Sequence, residues 1–210
     1  MENDAARYAQ EEMRPRFQRL AKRHEEGTAP RAVVAFQLFQ TPPEVAAMLA
    51  ARLDLSEGAR VLEPSAGLGR IIDALEPFKP SEVVAVEVAA ACAGELFRQN
   101  RDRVTIKQRD FLAVSPSDLG TFDAVAMNPP FHMRADVRHI LHARQFLKPG
   151  GRLAALCLAG AHRERDLRPH CNTWEPLPPG LFKKEGTGVG VILLTMNALW
   201  PCLPTSPATH

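Results

Sequence analysis

The sequence predicts an α/β fold, doubly wound around a mostly parallel sheet, on three observations. Short apolar runs alternate with helix-forming segments along the chain. The runs are continuously apolar and not alternating, as expected for strands buried on both faces. And the distinctive glycine, carboxylate and Asn-Pro motifs follow the carboxyl ends of those runs, where open α/β sheets bind ligands.

Taken in order, residues 4–26 are charged and mostly strong helix formers, with Asp4 as N-cap and Pro15 as an interruption. Arg14, Arg16, Arg19, Lys22 and Arg23 interleave with Glu11, Glu12, Glu25 and Glu26, the pattern of a solvated helix with intrahelical ion pairs. Residues 1–35 are therefore an N-terminal helical extension, and 36–198 form the principal domain. There Thr41-Pro42-Pro43-Glu44 caps a helix, Arg60-Val61-Leu62 is a strand, and a glycine turn leads to a helix from Arg70. Strand Val83-Val84-Ala85-Val86, a helix over 89–98 and strand Val104-Thr105-Ile106 follow. The apolar run Phe122-Asp123-Ala124-Val125-Ala126-Met127 is the next strand, and a helix over 136–146 leads to Lys148-Pro149-Gly150-Gly151 and the strand at 153–158. Residues 174–182 are proline-rich, and 190–195 read as a closing antiparallel edge strand. Residues 199–210 are an irregular proline-rich tail.

A chain of 210 residues, 45% hydrophobic, suits one globular domain with modest extensions. A net charge of +2 decides nothing about partners, since a local basic patch is enough for nucleic acid. Cys92, Cys157, Cys171 and Cys202 are scattered without a Cys-x-x-Cys pair, so neither a metal site nor a disulfide framework is expected, and a reduced, cytoplasmic setting fits. The chain has no apolar stretch of the ~18 residues that span a bilayer, and its start lacks a basic, then apolar, leader.

The chemistry gathers at four strand ends. After the first strand stands Glu63-Pro64-Ser65-Ala66-Gly67-Leu68-Gly69-Arg70, where Gly67 and Gly69 permit a tight turn and close approach of a ligand. It lacks the third glycine of the dinucleotide fingerprint and the Lys-Ser/Thr of a P-loop. The second strand ends at Glu87-Val88, an acceptor for ribose hydroxyls, and the third at Asp110-Phe111, a carboxylate for an adenine amine beside a ring for the base. The fourth ends at Asn128-Pro129-Pro130-Phe131. Pro129 has no N–H and holds Asn128 extended, so the strand stops and the Asn amide is left to bind an amino-bearing group, with Phe131 to stack on it. Glu87 and Asp110 would also serve as helix caps or surface carboxylates, and Asn-Pro-Pro as a plain turn.

Together these residues resemble the S-adenosylmethionine-dependent, adenine-specific (N6-amino) methyltransferases of phage and restriction-modification type. Glu63-Pro64-Ser65-Ala66-Gly67-Leu68-Gly69-Arg70 is similar to their cofactor loop, and Phe39-Gln40-Thr41-Pro42 to the Phe-x-Thr-Pro element that precedes it in the gamma order. The resemblance implies a Rossmann-like, seven-stranded class I domain with an antiparallel C-terminal strand. It implies S-adenosylmethionine held by Phe39, Thr41, Glu63, Pro64, Ser65, Ala66, Gly67, Gly69, Glu87, Val88, Asp110, Phe111 and Asn128. Asn128, Pro129, Pro130 and Phe131 are the implied catalytic residues: Asn128 and the Pro129 carbonyl accept the two N–H bonds of an adenine amine, and Phe131 stacks on the base.

The implied substrate is nucleic acid, DNA ahead of RNA, with no membrane partner. The chain departs from full DNA methyltransferases in having only residues 160–189 where they carry a long recognition region, so specificity would be loose or supplied by a protein partner. Arg163, Arg165, Arg168, His170, Lys183 and Lys184 would there touch phosphate or form a solvated surface. Arg134, Arg138, His139, His142 and Arg144 on the helix after the Asn motif carry the same two readings, and His139 and His142 could form a face near the site without an assigned chemistry. RNA adenine and protein glutamine amide are alternative acceptors, although glutamine methyltransferases usually carry Tyr at the position of Phe131. A non-catalytic methyltransferase-like subunit is a reading of a different class, and a dehydrogenase is the weakest.

Overall fold

The computed structural model describes residues 40–182 and 190–198. The expected N-terminal helix, Phe39, Lys183, Lys184, Cys202 and the tail lie outside the described residues.

Seven strands form one sheet: β1 (Arg60–Glu63), β2 (Glu82–Val86), β3 (Val104–Lys107), β4 (Phe122–Met127), β5 (Leu147–Leu158), β6 (Thr173–Pro176) and β7 (Val191–Asn197), ordered β3-β2-β1-β4-β5-β7-β6. The pairs β1–β2, β2–β3, β1–β4 and β4–β5 are parallel; β7 runs antiparallel to both β5 and β6. The fold is that of a Rossmann-like α/β domain with one reversed strand.

The helices are α1 (Pro43–Ala51), α2 (Arg70–Leu75), α3 (Ala90–Gln99), the short α4 (Pro116–Leu119), α5 (Ala135–Ala143) and α6 (Ala161–Leu167). Side chains alternate across each strand, so neighbours in sequence feed opposite cores. Val61, Val83, Ala85 and Ala124 meet Val45, Leu49, Ile71, Leu75 and Leu96 from α1, α2 and α3 on one face. Leu62, Val84, Val125 and Leu153 meet Leu119, Val137, Ile140 and Leu167 from α4, α5 and α6 on the other. Burial on both faces is why the strands read as unbroken apolar runs.

Several expectations are corrected here. The strand at 190–195 is antiparallel as expected, yet it is not the edge: β7 is inserted between β5 and β6. The edge on that side is β6, which runs into the stretch read as proline-rich, and it tolerates Pro176 because it is an edge strand. Lys148-Pro149-Gly150-Gly151 does not precede the fifth strand but makes an excursion within β5, between the pairs Phe122–Leu147 and Ala124–Arg152. Gly150 there has φ +79°, and a Cβ on Gly151 would fall 2.9 Å from the Lys148 carbonyl. Residues 161–167, expected as a cationic loop, are helix α6.

Candidate functional site

β1 is flanked by β2 and β4, so chain order reverses beside it, and the crevice outside the strand ends opens there. Across the sheet the carboxyl ends carry Asp110 after β3, Glu87 after β2, Glu63 at the end of β1 and Asn128 after β4. Four motifs widely separated in sequence thus form one row along a single sheet edge, with adjacent strands roughly 4.8 Å apart.

The turn after β1 is built around two glycines in the left-handed region. Gly67 has φ +53° and Gly69 φ +87°, conformations that a side chain resists. Their surroundings differ. A Cβ on Gly67 would meet nothing within 4 Å, whereas one on Gly69 would come within 3.0 Å of Leu96 Cδ2 on α3. Gly67 faces open space, and Gly69 serves close packing of helix on turn. The turn is tied to its neighbours: the Gly67 N–H donates to Glu87 Oε2 (2.8 Å), the Ala89 N–H to Glu87 Oε1 (2.7 Å), and the Ala66 N–H to the Val86 carbonyl (3.1 Å). Glu87 therefore staples the glycine turn to the end of β2. A carboxylate has about four acceptor sites, so this work leaves it acceptor capacity.

Glu63 is only 1% exposed, and its Oε2 has no hydrogen-bond partner among the described residues. Burial pushes its carboxyl well above the usual carboxylate range, the negative charge of Glu87 pushes the same way, and Arg101 opposes them. Arg101 pairs with Asp73 on α2 (2.5 Å) and receives support from Gln99, whose Oε1 accepts from Arg101 Nε (3.0 Å). Gln99 also donates to the Leu68 carbonyl (3.4 Å). Neither Gln99 nor Arg101 was expected from sequence. They sit in a polar stretch, Gln99-Asn100-Arg101-Asp102-Arg103, in which nothing separates a bracing side chain from a solvated one.

Asn128 lies one residue beyond β4, and its Nδ2 donates to Thr41 Oγ1 at 3.0 Å. Thr41 is 6% exposed, just ahead of α1. Two motifs 87 positions apart are joined by this bond. It also orients the amide: the nitrogen faces Thr41 and the oxygen is turned away from it. Pro129 is buried, and Pro64 and Ala66 are buried below the turn, while Ser65, Pro130 and Phe131 are partly exposed. Val88, beside Glu87, is 61% exposed, an apolar surface at the strand end.

Asp110 is exposed and caps a 3-10 turn by accepting from the Leu112 N–H (3.0 Å). Phe111, expected beside the base, has a ring that is 2% exposed and packs in the core against His142, Phe146 and His139, at centroid distances of 4.9, 5.3 and 6.0 Å. It is held inside because Val114, Ile140 and Phe146 close around it on the α5 face of the sheet. His142 Nε2 donates to the Val114 carbonyl and His139 Nδ1 to the Ala135 carbonyl, both at 2.8 Å, since a carbonyl only accepts. Burial lowers the His139 pKa from its ordinary value. Both rings are structural.

Three of the cationic residues expected over 160–189 are paired with carboxylates. Arg163 pairs with the buried Asp136, Arg165 with Asp166, and Arg168 with Glu164. No group of three potential metal ligands occurs among the described residues. Burial, with the charges of Asp136 and Cys171 beside it, pushes Cys157 up to about 12, and burial pushes Cys171 up to about 11, so neither is a thiolate at neutral pH. No helix among the described residues is long and apolar enough to cross a membrane.

Residues 44–175 match the family described as Methyltransferase small domain. No curated protein matches the chain in sequence. Among solved structures, TrmN from Thermus thermophilus superposes with a TM-score of 0.62 at 24% identity, over 75% of this chain and 49% of its own. A protein described as an rRNA methylase from Streptococcus thermophilus gives 0.53 at 15%, over 77% and 99%. One described as a modification subunit of a type I restriction enzyme from Vibrio vulnificus gives 0.61 at 17%, over 89% and 49%. At these identities the likeness is one of fold, and the chain spans about half the length of the first and third.

Proposed function

The chain belongs to the methyltransferase small domain family, a class of S-adenosylmethionine-dependent methyltransferases, and from that premise we propose that it methylates the exocyclic amine of adenine in nucleic acid, DNA in the first instance. The observation that carries the proposal is the Asn128 amide, oriented by Thr41 beside the sheet edge that bears Glu63 and Glu87.

The residues present fit the cofactor. The space over Gly67 is open to a ligand, and Glu63 buries a carboxyl oxygen with no described partner at the foot of the same turn. Ser65, Ala66 and Gly67 would hold the amino-acid end, Glu87 the ribose, and Val88 and Asp110 the adenine, with Gly69 keeping the turn packed on α3 beneath them. When bound, S-adenosylmethionine supplies a methyl group on a positively charged sulfur.

The acceptor nitrogen is the difficulty, because the lone pair of an aromatic amine is delocalised into the ring. In this reading the Asn128 Oδ1 and the Pro129 carbonyl accept its two N–H bonds and aim the lone pair at the sulfonium methyl. The same two oxygens stabilise the positive charge that develops on nitrogen, an electrostatic effect worth about 10²–10³ in rate when one such preorganised contact is lost. Phe131, partly exposed beside them, would stack on the base. No general base is needed, since the nitrogen becomes acidic as it is alkylated and its proton passes to water. In a duplex the base must first leave the stack, which costs a few kcal/mol.

Residues 160–189 are a short stretch for a sequence reader, and α6 and β6 take up 161–167 and 173–176 of it. Target choice would then come from a protein partner or remain loose. The deciding experiment supplies methyl-labelled donor to separate DNA, RNA and protein pools and identifies the labelled nucleoside or amino acid. Label in N6-methyladenine from DNA supports the proposal. Label confined to RNA or to glutamine replaces the substrate, and no label in any pool favours a non-catalytic subunit.

A further inference from the structure

Beside the Asn128 loop lies a buried polar network that the proposed chemistry does not use. Asp136, fully buried near the start of α5, accepts through Oδ1 from the Val137 N–H (3.0 Å) and through Oδ2 from the Leu158 N–H at the end of β5 (3.4 Å). Its Oδ2 is also ion-paired with Arg163 Nε on α6. The second arm of that guanidinium, Nη2, donates to the Phe131 carbonyl at 3.1 Å. A further tie runs from α6 to the same loop, from Asp166 to Arg134. Within this anchored stretch, Met133 and Arg134 adopt φ +47° and +59°, left-handed conformations costly for side-chain-bearing residues. Such a pair persists only where the surroundings hold it.

We propose that Arg163 is a positioning residue for methyl transfer: anchored on Asp136, it fixes the Phe131 carbonyl and so holds Asn128-Pro129-Pro130-Phe131 in its reacting geometry. This deepens the proposed function and rests on its assignment of that loop. The side chain is 16% exposed and engaged on two sides, so it is a brace and not a phosphate contact. Arginine suits the place because its planar fork presents separate N–H groups to the carboxylate and to the carbonyl. A lysine ammonium would keep the charge against Asp136 but lose the fork.

The test compares the full chain with its Arg163→Lys variant by backbone hydrogen exchange, S-adenosylhomocysteine affinity and single-turnover methyl transfer. Exchange at residues 131–135 rises tenfold or more in the variant, exchange in β4 is unchanged, the affinity stays within twofold, and the transfer rate falls tenfold or more. A double variant, Arg163→Met with Asp136→Asn, leaves no unpaired buried charge and opens the same segment, which guards against misfolding of the single variant. Exchange at 131–135 within twofold of the parent would overturn the proposal, as would a rise spread equally over β4, which marks a merely structural ion pair. If the parent methylates no pool, the functional reading fails by itself, and the exchange data still decide the brace.

Discussion

Replacing Thr41 with valine preserves shape and β-branching ahead of Pro42 but removes the hydroxyl that accepts from Asn128 Nδ2 at 3.0 Å. Because Thr41 is 6% exposed, water replaces that acceptor poorly. Losing a hydrogen bond of this kind costs about 1 kcal/mol net, and leaving a buried donor unmatched raises the cost to about 1–3 kcal/mol. If that energy serves to hold the amide oxygen towards the acceptor nitrogen, the loss falls on the transition state. At about 1.4 kcal/mol per decade, the transfer rate should drop roughly 5- to 100-fold. Single-turnover transfer and calorimetric binding of S-adenosylhomocysteine separate the two possible roles. The expected outcome is a slower rate with cofactor affinity within twofold, and recovery in Thr41→Ser, which restores the hydroxyl. A Thr41→Val enzyme that keeps its rate but binds cofactor tenfold more weakly would rule out this orienting role and return Thr41 to the cofactor contact that the Phe-x-Thr-Pro resemblance implies.

Two further outcomes follow from the site. Glu63 holds its proton to higher pH when folded than in the unfolded chain, where it ionises near 4.5, so the unfolded state binds fewer protons and stability falls as pH rises through that window. Glu63→Gln removes this penalty: its melting temperature should match the parent at pH 4 and exceed it by a growing margin towards neutrality, and a margin independent of pH would contradict the assignment. Gly67→Ala places a side chain at φ +53° and costs about 1–2 kcal/mol, or some 2–8 °C in melting temperature for a domain of this size. Its methyl also enters the open space over the turn, so S-adenosylhomocysteine affinity should fall tenfold or more, and unchanged affinity would move the cofactor elsewhere.

The sheet was legible because burial on both faces leaves continuous apolar runs, as at Val83–Val86 and Leu153–Leu158. The motif positions were legible because glycines at positive φ and a strand-stopping Asn-Pro have few structural equivalents. What escaped was set by tertiary context. β6 is four residues long, half-buried and ends in proline, so neither period nor propensity marks it. The place of β7 between β5 and β6 depends on pairing that no local pattern encodes. Phe111 and its neighbour Asp110 look alike as ligand contacts in sequence, yet one ring fills the core while the carboxylate caps a turn. Arg163 is indistinguishable by sequence from Arg165 and Arg168, and only the buried Asp136 behind it reveals its different role.

The rate of methyl transfer by Asn128→Ala, measured beside its cofactor affinity, decides whether this amide acts on the acceptor nitrogen. With that role for Asn128, S-adenosylhomocysteine binds within a few-fold of the parent and the transfer rate to adenine falls by about 10²–10³ or more, as befits loss of a preorganised acceptor in the transition state. Transfer at the parental rate by a variant that binds cofactor normally would contradict it.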